Sequence, residues 1–333
     1  MSETHETTMW AWQVPRYGAY RDVLSWQKVQ RPVPGPGELL VQVGAAGISF
    51  ATMLRIAGKY QVKDPLPFIP GTDMAGEVVA GGEGTNTPVG QRVMGTASSG
   101  CFAEYALIRE EDAMSIPDSL PYPKAAALLN AYQTSYVGLA YQAELKENEW
   151  LLVHGAAGGV GIAAVQLGRA MGAKVIACAG GAEKVNFCLE HGAHYAIDHR
   201  QEDFVQRVQE ITGGHGADVI YDPVGGDIFD ASRKCIAFRG RLLVVGFAEG
   251  RIPEIAANRI LLRTFSVTGF TLHAYRQHAP HLLEEAKDKL FEMVDQGNLT
   301  PVIGQTIPLS QLIDAMALVE QRKSLGKTIL TVS

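Results

Sequence analysis

The chain has only four cysteines, Cys101, Cys178, Cys188 and Cys235, and no two stand at C-x-x-C spacing. That excludes a disulfide framework or a sulfur-rich zinc site as the organising element, and the thiols are expected to be reduced and packed as small hydrophobes. Its nine histidines do not pair with a cysteine at a metal-ligand spacing. There is no block of lysine and arginine, and the formal net charge is -6. The basic face with which a protein grips phosphates along a nucleic acid is therefore missing, and no nucleic-acid partner is expected. No apolar run approaches the ~20 residues of a membrane helix. The longest, such as Leu242 to Gly246, are short and end in glycine, so no membrane partner is expected either. The opening MSETHETTMW is acidic and polar. It lacks the basic and apolar regions of a secretory signal, and a cytoplasmic location is expected.

What is present is globular: 333 residues, 47% hydrophobic and 19% charged. At roughly 150 residues per domain this length suggests two domains. The 36 glycines point to many tight turns and close backbone approaches. Residues 9 to about 125 read as short strands between Gly/Pro turns. Examples are Glu38 to Val43, Ala75 to Ala80 and Phe102 to Ile108. From Tyr122 the pattern changes. Pro123 opens an alanine-rich helical stretch, Lys124 to Tyr141, and proline suits a first helical turn. Strands and helices then alternate. Strands are expected at Trp150–His154, Lys174–Cys178, Tyr195–Ile197, Asp218–Tyr221 and Arg241–Val245. Helices are expected at Val160–Met171, Glu183–His191, Asp203–Thr212 and Asp227–Cys235. Apolar strands alternating with helices predict an α/β fold with a doubly wound parallel sheet. Two further helical patterns, His281–Gln296 and Ser310–Gln321, and a last strand, Lys327–Val332, complete the chain.

Residues 150–161 read WLLVHGAAGGVG. An apolar strand runs into Gly155, Gly158, Gly159, Val160 and Gly161, and an amphipathic helix follows. Small residues let the backbone approach a pyrophosphate, and the helix N-terminus offers N–H groups and partial positive charge to it. The last glycine allows close helix–strand packing. The context of strand, helix and second strand is what such a motif requires of a dinucleotide site.

Enzymes that use NAD commonly end the next strand on an acid that binds the ribose 2′-hydroxyl. Here that position is Ala179-Gly180-Gly181-Ala182, without an acid. Lys184 follows, and His199 and Arg200 end the third strand. These groups could hold a 2′-phosphate, while Glu183 fits the first turn of a helix. The expected cofactor is NADPH.

Together with GAAGGVG, the segments PFIPGTDMAGEV (67–78), GCFAEYALI (100–108), DPVGG (222–226) and LLVVGFA (242–248) resemble the zinc-free medium-chain dehydrogenases/reductases. The resemblance is to the NADPH:quinone oxidoreductase (zeta-crystallin-like) branch and runs from residue 9 to 332. It implies a GroES-like β domain, residues 1–125 completed by 271–333, and a Rossmann domain, residues 126–270, with the active site in the cleft. It also implies a homodimer joined through edge strands of the Rossmann sheets. In zinc-dependent relatives the slots of Ser49, Thr72 and Asn130 carry the metal ligands. Serine, threonine and asparagine are poor zinc ligands beside cysteine and histidine, so no metal is expected.

Without a Lewis acid to hold an alkoxide, the resemblance implies hydride transfer to quinones or similar electrophilic small-molecule acceptors. An enoyl reductase, or a non-catalytic NADPH-binding structural or regulatory protein, are the alternatives. Similarity puts Tyr60 and Ser49 near the nicotinamide and acceptor, with Tyr60 as a hydrogen-bond or proton donor. It puts Thr134 at the nicotinamide end, Gly246, Phe247, Gly269, Phe270 and Thr271 around the nicotinamide and its ribose, and His199 near the adenosine phosphate. The family commonly has asparagine at the Ser49 slot and an acid at the Thr52 slot.

Overall fold

The computed structural model describes residues 7–332. It divides into two compact units, one made by the chain through Asn130 and again from Ile303, the other by Ala131–Val302.

The first unit holds a seven-stranded sheet. Its central strand, Glu38–Gly47, pairs antiparallel with Asp73–Gly81, Tyr105–Arg109 and Lys327–Thr331. Arg92–Thr96, Ala113–Ser115 and Ile303–Pro308 extend the sheet, and Thr8–Gln13 forms a separate hairpin with Ser25–Gln30. Leu39, Val41 and Val43 alternate along the central strand into a core with Met74, Phe102, Leu312, Met316 and Leu330, the period of two that a pleated strand imposes.

The second unit is a six-stranded sheet in the spatial order Tyr195–Asp198, Lys174–Ala179, Trp150–His154, Ala217–Asp222, Ile236–Val244, Ser266–Gly269. Every pairing is parallel. Numbered along the chain, that order is 3-2-1-4-5-6, the arrangement of a dinucleotide-binding sheet with its switch point beside the first strand. Leu151, Leu152 and Val153 are all fully buried, as expected of a strand covered on both faces. Among the described residues no helix is long and apolar enough to cross a membrane.

Several elements differ from the sequence reading. The alanine-rich helix, Tyr122–Tyr136, does not continue as an α-helix to Tyr141 but widens into a π-helical turn, Val137–Gln142. Gly138 in that turn faces the Phe270 ring, and an added Cβ there would lie 2.8 Å from it. The helix expected over Asp227–Cys235 ends at Ser232, and the next strand begins at Ile236 rather than Arg241. The strands Ser266–Gly269 and Ile303–Pro308 and the helices Ala257–Arg263 and Leu272–His278 lie outside the elements expected from the sequence.

The chain also returns to the first unit at residue 303, not 271. The reason lies in the helix Pro280–Asp295, which buries Leu283, Ala286 and Leu290. Gln133 donates to the Leu283 carbonyl at 3.0 Å, and the Val302 amide donates to the Tyr132 hydroxyl at 3.1 Å. These bonds hold residues 271–302 within the second unit.

Candidate active site

In the second unit, the expected nucleotide residues follow the C-terminal ends of the parallel strands or flank them. After Trp150–His154 the chain turns at Gly155 (φ +55°) and enters the helix Gly159–Ala170 through Gly158. The Gly158 amide donates to the Gly155 carbonyl at 2.9 Å. No side chain caps this helix, so its first-turn N–H groups suit an anion. A Cβ on Gly161 would overlap the Gly155 carbonyl oxygen and lie 2.8 Å from Ala156 Cα. Only glycine fits there.

The second strand ends at Ala179, and Gly181 (φ +98°) leads into the helix Ala182–Glu190. The Asp198 carboxylate accepts from the Gly181 amide at 2.8 Å and the Arg200 amide at 3.1 Å. Those two donors hold its pKa below the usual carboxylate range. The Arg200 and His199 side chains lie over Gly180, where an added Cβ would be 2.8 Å from Arg200 Nε and 3.0 Å from His199 Nε2. Desolvation lowers the pKa of His199, and the charges of Arg200 and Lys184 push the same way against Asp198. Arg200 and His199 thus lie over a position without a side chain, and the Lys184 charge acts on His199.

The fourth strand ends in Asp222, which is 1% exposed and accepts from the Val224 and Gly225 amides at 2.8 and 3.0 Å. Burial raises its pKa, and these two amides oppose the rise. Its main-chain carbonyl accepts from Val245 at 2.9 Å, next to Gly246, and the Phe247 ring packs over Gly225. Gly269 ends the sixth strand. The Phe270 ring lies against Gly138 and meets Tyr275 edge-on, and Thr271 caps the helix Leu272–His278 by accepting from the Ala274 amide at 3.1 Å.

Thr134 stands beside a residue the sequence reading missed. Ser135 is fully buried, and its Oγ lies 2.9 Å from each of the Ala131 carbonyl, the Val160 carbonyl and the Tyr221 hydroxyl. It therefore ties the helix bearing Thr134 to the first turn of the nucleotide helix and to the fourth strand. With Gln133 and Thr134 directly before it, the sequence around Ser135 carried no signal of that burial.

In the first unit, Ser49 is the N-cap of the helix Phe50–Ile56. Its Oγ accepts from the Thr52 amide at 3.3 Å and lies 3.1 Å from Thr52 Oγ1. Tyr60 sits half-buried on the loop that follows. The other two slots that carry ligands in zinc enzymes turn to Asp73. Thr72 Oγ1 and Asn130 Nδ2 both donate to Asp73 Oδ1 at 2.9 Å, and Lys327 Nζ donates to Oδ2 at 3.1 Å. Among the described residues no group of three or more His, Cys, Asp or Glu could hold a metal ion. The donor set of a hydroxyl that caps a helix, a second hydroxyl and an amide does not fit zinc.

A family model described as "Zinc-binding dehydrogenase" matches residues 159–288, and one described as "Alcohol dehydrogenase GroES-like domain" matches residues 35–118. The chain is 41% identical over 300 residues to a quinone oxidoreductase-like protein 2 homolog from Nematostella vectensis, covering 89% of this chain and 82% of that one. It is 33% identical to a quinone oxidoreductase from Pseudomonas aeruginosa, covering 96% and 98%. The crystal structure of Escherichia coli quinone oxidoreductase complexed with NADPH matches with a TM-score of 0.90 at 30% identity, covering 97% and 99%. The sheet order, the glycine turn and these relatives agree, and the chain belongs to the quinone oxidoreductase family of the medium-chain dehydrogenases/reductases.

Proposed function

We propose that this protein is an NADPH-dependent oxidoreductase that delivers hydride, without zinc, to quinones or similar electrophilic acceptors. The observation that carries the reading is Gly180 lying bare beneath Arg200 and His199. An acid there would repel a 2′-phosphate, whereas a glycine beside the Arg200 guanidinium brings no such repulsion and leaves a fixed positive charge to meet one. The uncapped N-terminus of Gly159–Ala170 receives the pyrophosphate. Thr134, Gly246, Phe247, Gly269, Phe270 and Thr271 surround the nicotinamide and its ribose.

When bound, NADPH supplies the hydride, and the protein's part is orientation and electrostatics. Tyr60 donates a hydrogen bond to the acceptor oxygen as charge builds there, and Ser49 lines the same side while capping its helix. No step passes through a metal: Thr72 and Asn130 are engaged with Asp73. This chemistry suits acceptors that take hydride readily without a Lewis acid.

The protein acts as a homodimer. The strand Ser266–Gly269 is the last in its sheet, and Phe238, Leu261 and Leu262 are 72%, 77% and 75% exposed. An open strand edge and bare apolar side chains are what a second copy would cover.

The test is steady oxidation of NADPH with a panel of quinones, enones and acyl thioesters, alongside metal analysis of the purified protein. Turnover with quinones and well under one zinc per chain supports the reading. Tight NADPH binding without turnover favours a non-enzymatic role, turnover with thioesters alone favours an enoyl reductase, and stoichiometric zinc overturns the metal-free mechanism.

A further inference from the structure

We infer that Arg55 and Asp64 are positioning residues whose ion pair sets the loop that carries Tyr60; the inference rests on the role of Tyr60 proposed above. Arg55 lies in the last turn of the helix Phe50–Ile56. Its Nε donates to Asp64 Oδ2 at 2.9 Å and its Nη2 to Oδ1, the two-pronged geometry of guanidinium on carboxylate. The same Nη2 donates to the Ser98 carbonyl at 2.6 Å. The side chains are 14% and 8% exposed, so the pair is shielded from the water and salt that weaken surface ion pairs.

The loop is fastened at both ends. At its start, the Gly58 amide donates to the Arg55 carbonyl at 3.0 Å and the Lys59 amide to the Leu54 carbonyl at 2.8 Å. Gly58 has φ +67°, and an added Cβ there would lie 2.8 Å from the Tyr17 ring. At its end, the Asp64 carbonyl accepts from the Tyr17 hydroxyl while its carboxylate accepts from Arg55. Tyr17 therefore braces both ends. Between them Gln61, Val62 and Lys63 are exposed and Tyr60 alone is half-buried.

A hydrophobic pair of similar volume could fill the space of a buried ion pair at little loss of stability. The pair joins helix, loop and the Ser98 segment in one fixed geometry, which packing alone does not specify. Fixing the ends limits where the Tyr60 hydroxyl can be, and a misplacement of about 1 Å at a reacting group can lower the rate on the order of 100-fold. The pair's task is thus pre-organisation of a hydrogen-bond donor.

The experiment is a double-mutant cycle of Arg55→Lys against Tyr60→Phe in the full-length enzyme, read as kcat and acceptor KM with a quinone, with NADPH affinity as the internal control. Lysine keeps the charge and loses the fork. Arg55→Lys is expected to lower kcat on the order of 10- to 100-fold, to leave the NADPH dissociation constant within about twofold because the nucleotide residues belong to the other unit, and to add little in the Tyr60→Phe background. Asp64→Asn repeats the test if Arg55→Lys fails to fold. Additive losses, or an unchanged kcat in a folded Arg55→Lys protein, overturn this inference alone. A silent Tyr60→Phe overturns the role of Tyr60 and this inference with it.

Discussion

Lys327 Nζ stands 3.1 Å from Asp73 Oδ2, with the two side chains 6% and 1% exposed. They are separated by 254 positions and brought together because Gly47 pairs with Asp73 on one side and Ile329 on the other. A Cβ on Gly47 would lie 2.9 Å from Lys327 Cε and 3.3 Å from Asp73 Cβ. A bare backbone position is what lets the pair meet.

Lys327→Met should destabilise the protein by about 3–5 kcal/mol, because it strands a buried carboxylate. The double variant with Asp73→Asn should recover part of that loss, since the charge left behind is gone. Urea unfolding of both variants checks this, and a double variant as unstable as Lys327→Met would show that the charge is not the cause.

Lys184→Ala and Arg200→Ala should each weaken NADPH by roughly 1.5–3 kcal/mol, about ten- to hundredfold, the range for hydrogen bonds to charged groups, while NADH changes far less. Calorimetry with both nucleotides separates the cases, and equal losses would remove the assignment of a 2′-phosphate to this cluster. The pKa of His199 is lowered, so its cationic form is scarce at neutral pH. Acidification should therefore raise the preference for NADPH over NADH as His199 gains a proton.

His154 is fully buried and its pKa is pushed down to about 3 by desolvation. Its Nε2 lies 2.8 Å from Ser232 Oγ, which donates to the Ile228 carbonyl at 2.7 Å. Ser232 has one hydrogen to give, so the imidazole is the donor and is held neutral with its proton on Nε2. An unfolded histidine titrates near 6.5. Between 6.5 and 3 the unfolded chain binds a proton that the folded one refuses, so this stability is present above about pH 6.5 and is lost as pH falls. The slope approaches 1.4 kcal/mol per unit, or about 2 kcal/mol from pH 6.5 to 5. His154→Gln should flatten the acid side of the stability curve, measured by urea midpoints at those two values.

Gly161→Ala should cost about 1–3 kcal/mol of stability, the usual range for overpacking, because its Cβ meets the Gly155 carbonyl. It should weaken NADPH and NADH alike, since the pyrophosphate seat proposed at this turn would be common to both. A selective loss of one nucleotide, measured by quenching of tryptophan emission, would contradict the seat.

Much of the parallel-sheet unit was legible in the chain because its signals are local. Strand, glycine turn and helix follow one another over residues 150–170, and the missing acid after the second strand is a matter of composition at one place. The Ser49, Thr72 and Asn130 slots, by contrast, carried no local signal and were picked out only by the resemblance to zinc-dependent relatives. Arg200 was visible as a cation, but its position over Gly180 depends on how the third strand lies against the second. Ser135 gave almost no sign, because its partners Val160 and Tyr221 are 25 and 86 positions away.

By itself the sequence determined the first five strands of the parallel sheet, the helices between them and the glycine turn after the first strand, because backbone sterics and burial periods act between near neighbours. Tertiary structure decided the sheet order, the return of the chain at residue 303, the neutral tautomer of His154, and the pairings of Asp73 with Lys327 and Arg55 with Asp64. Those depend on which distant segments share a sheet or a buried surface. A charge far along the chain becomes a partner only once water has been excluded between the two.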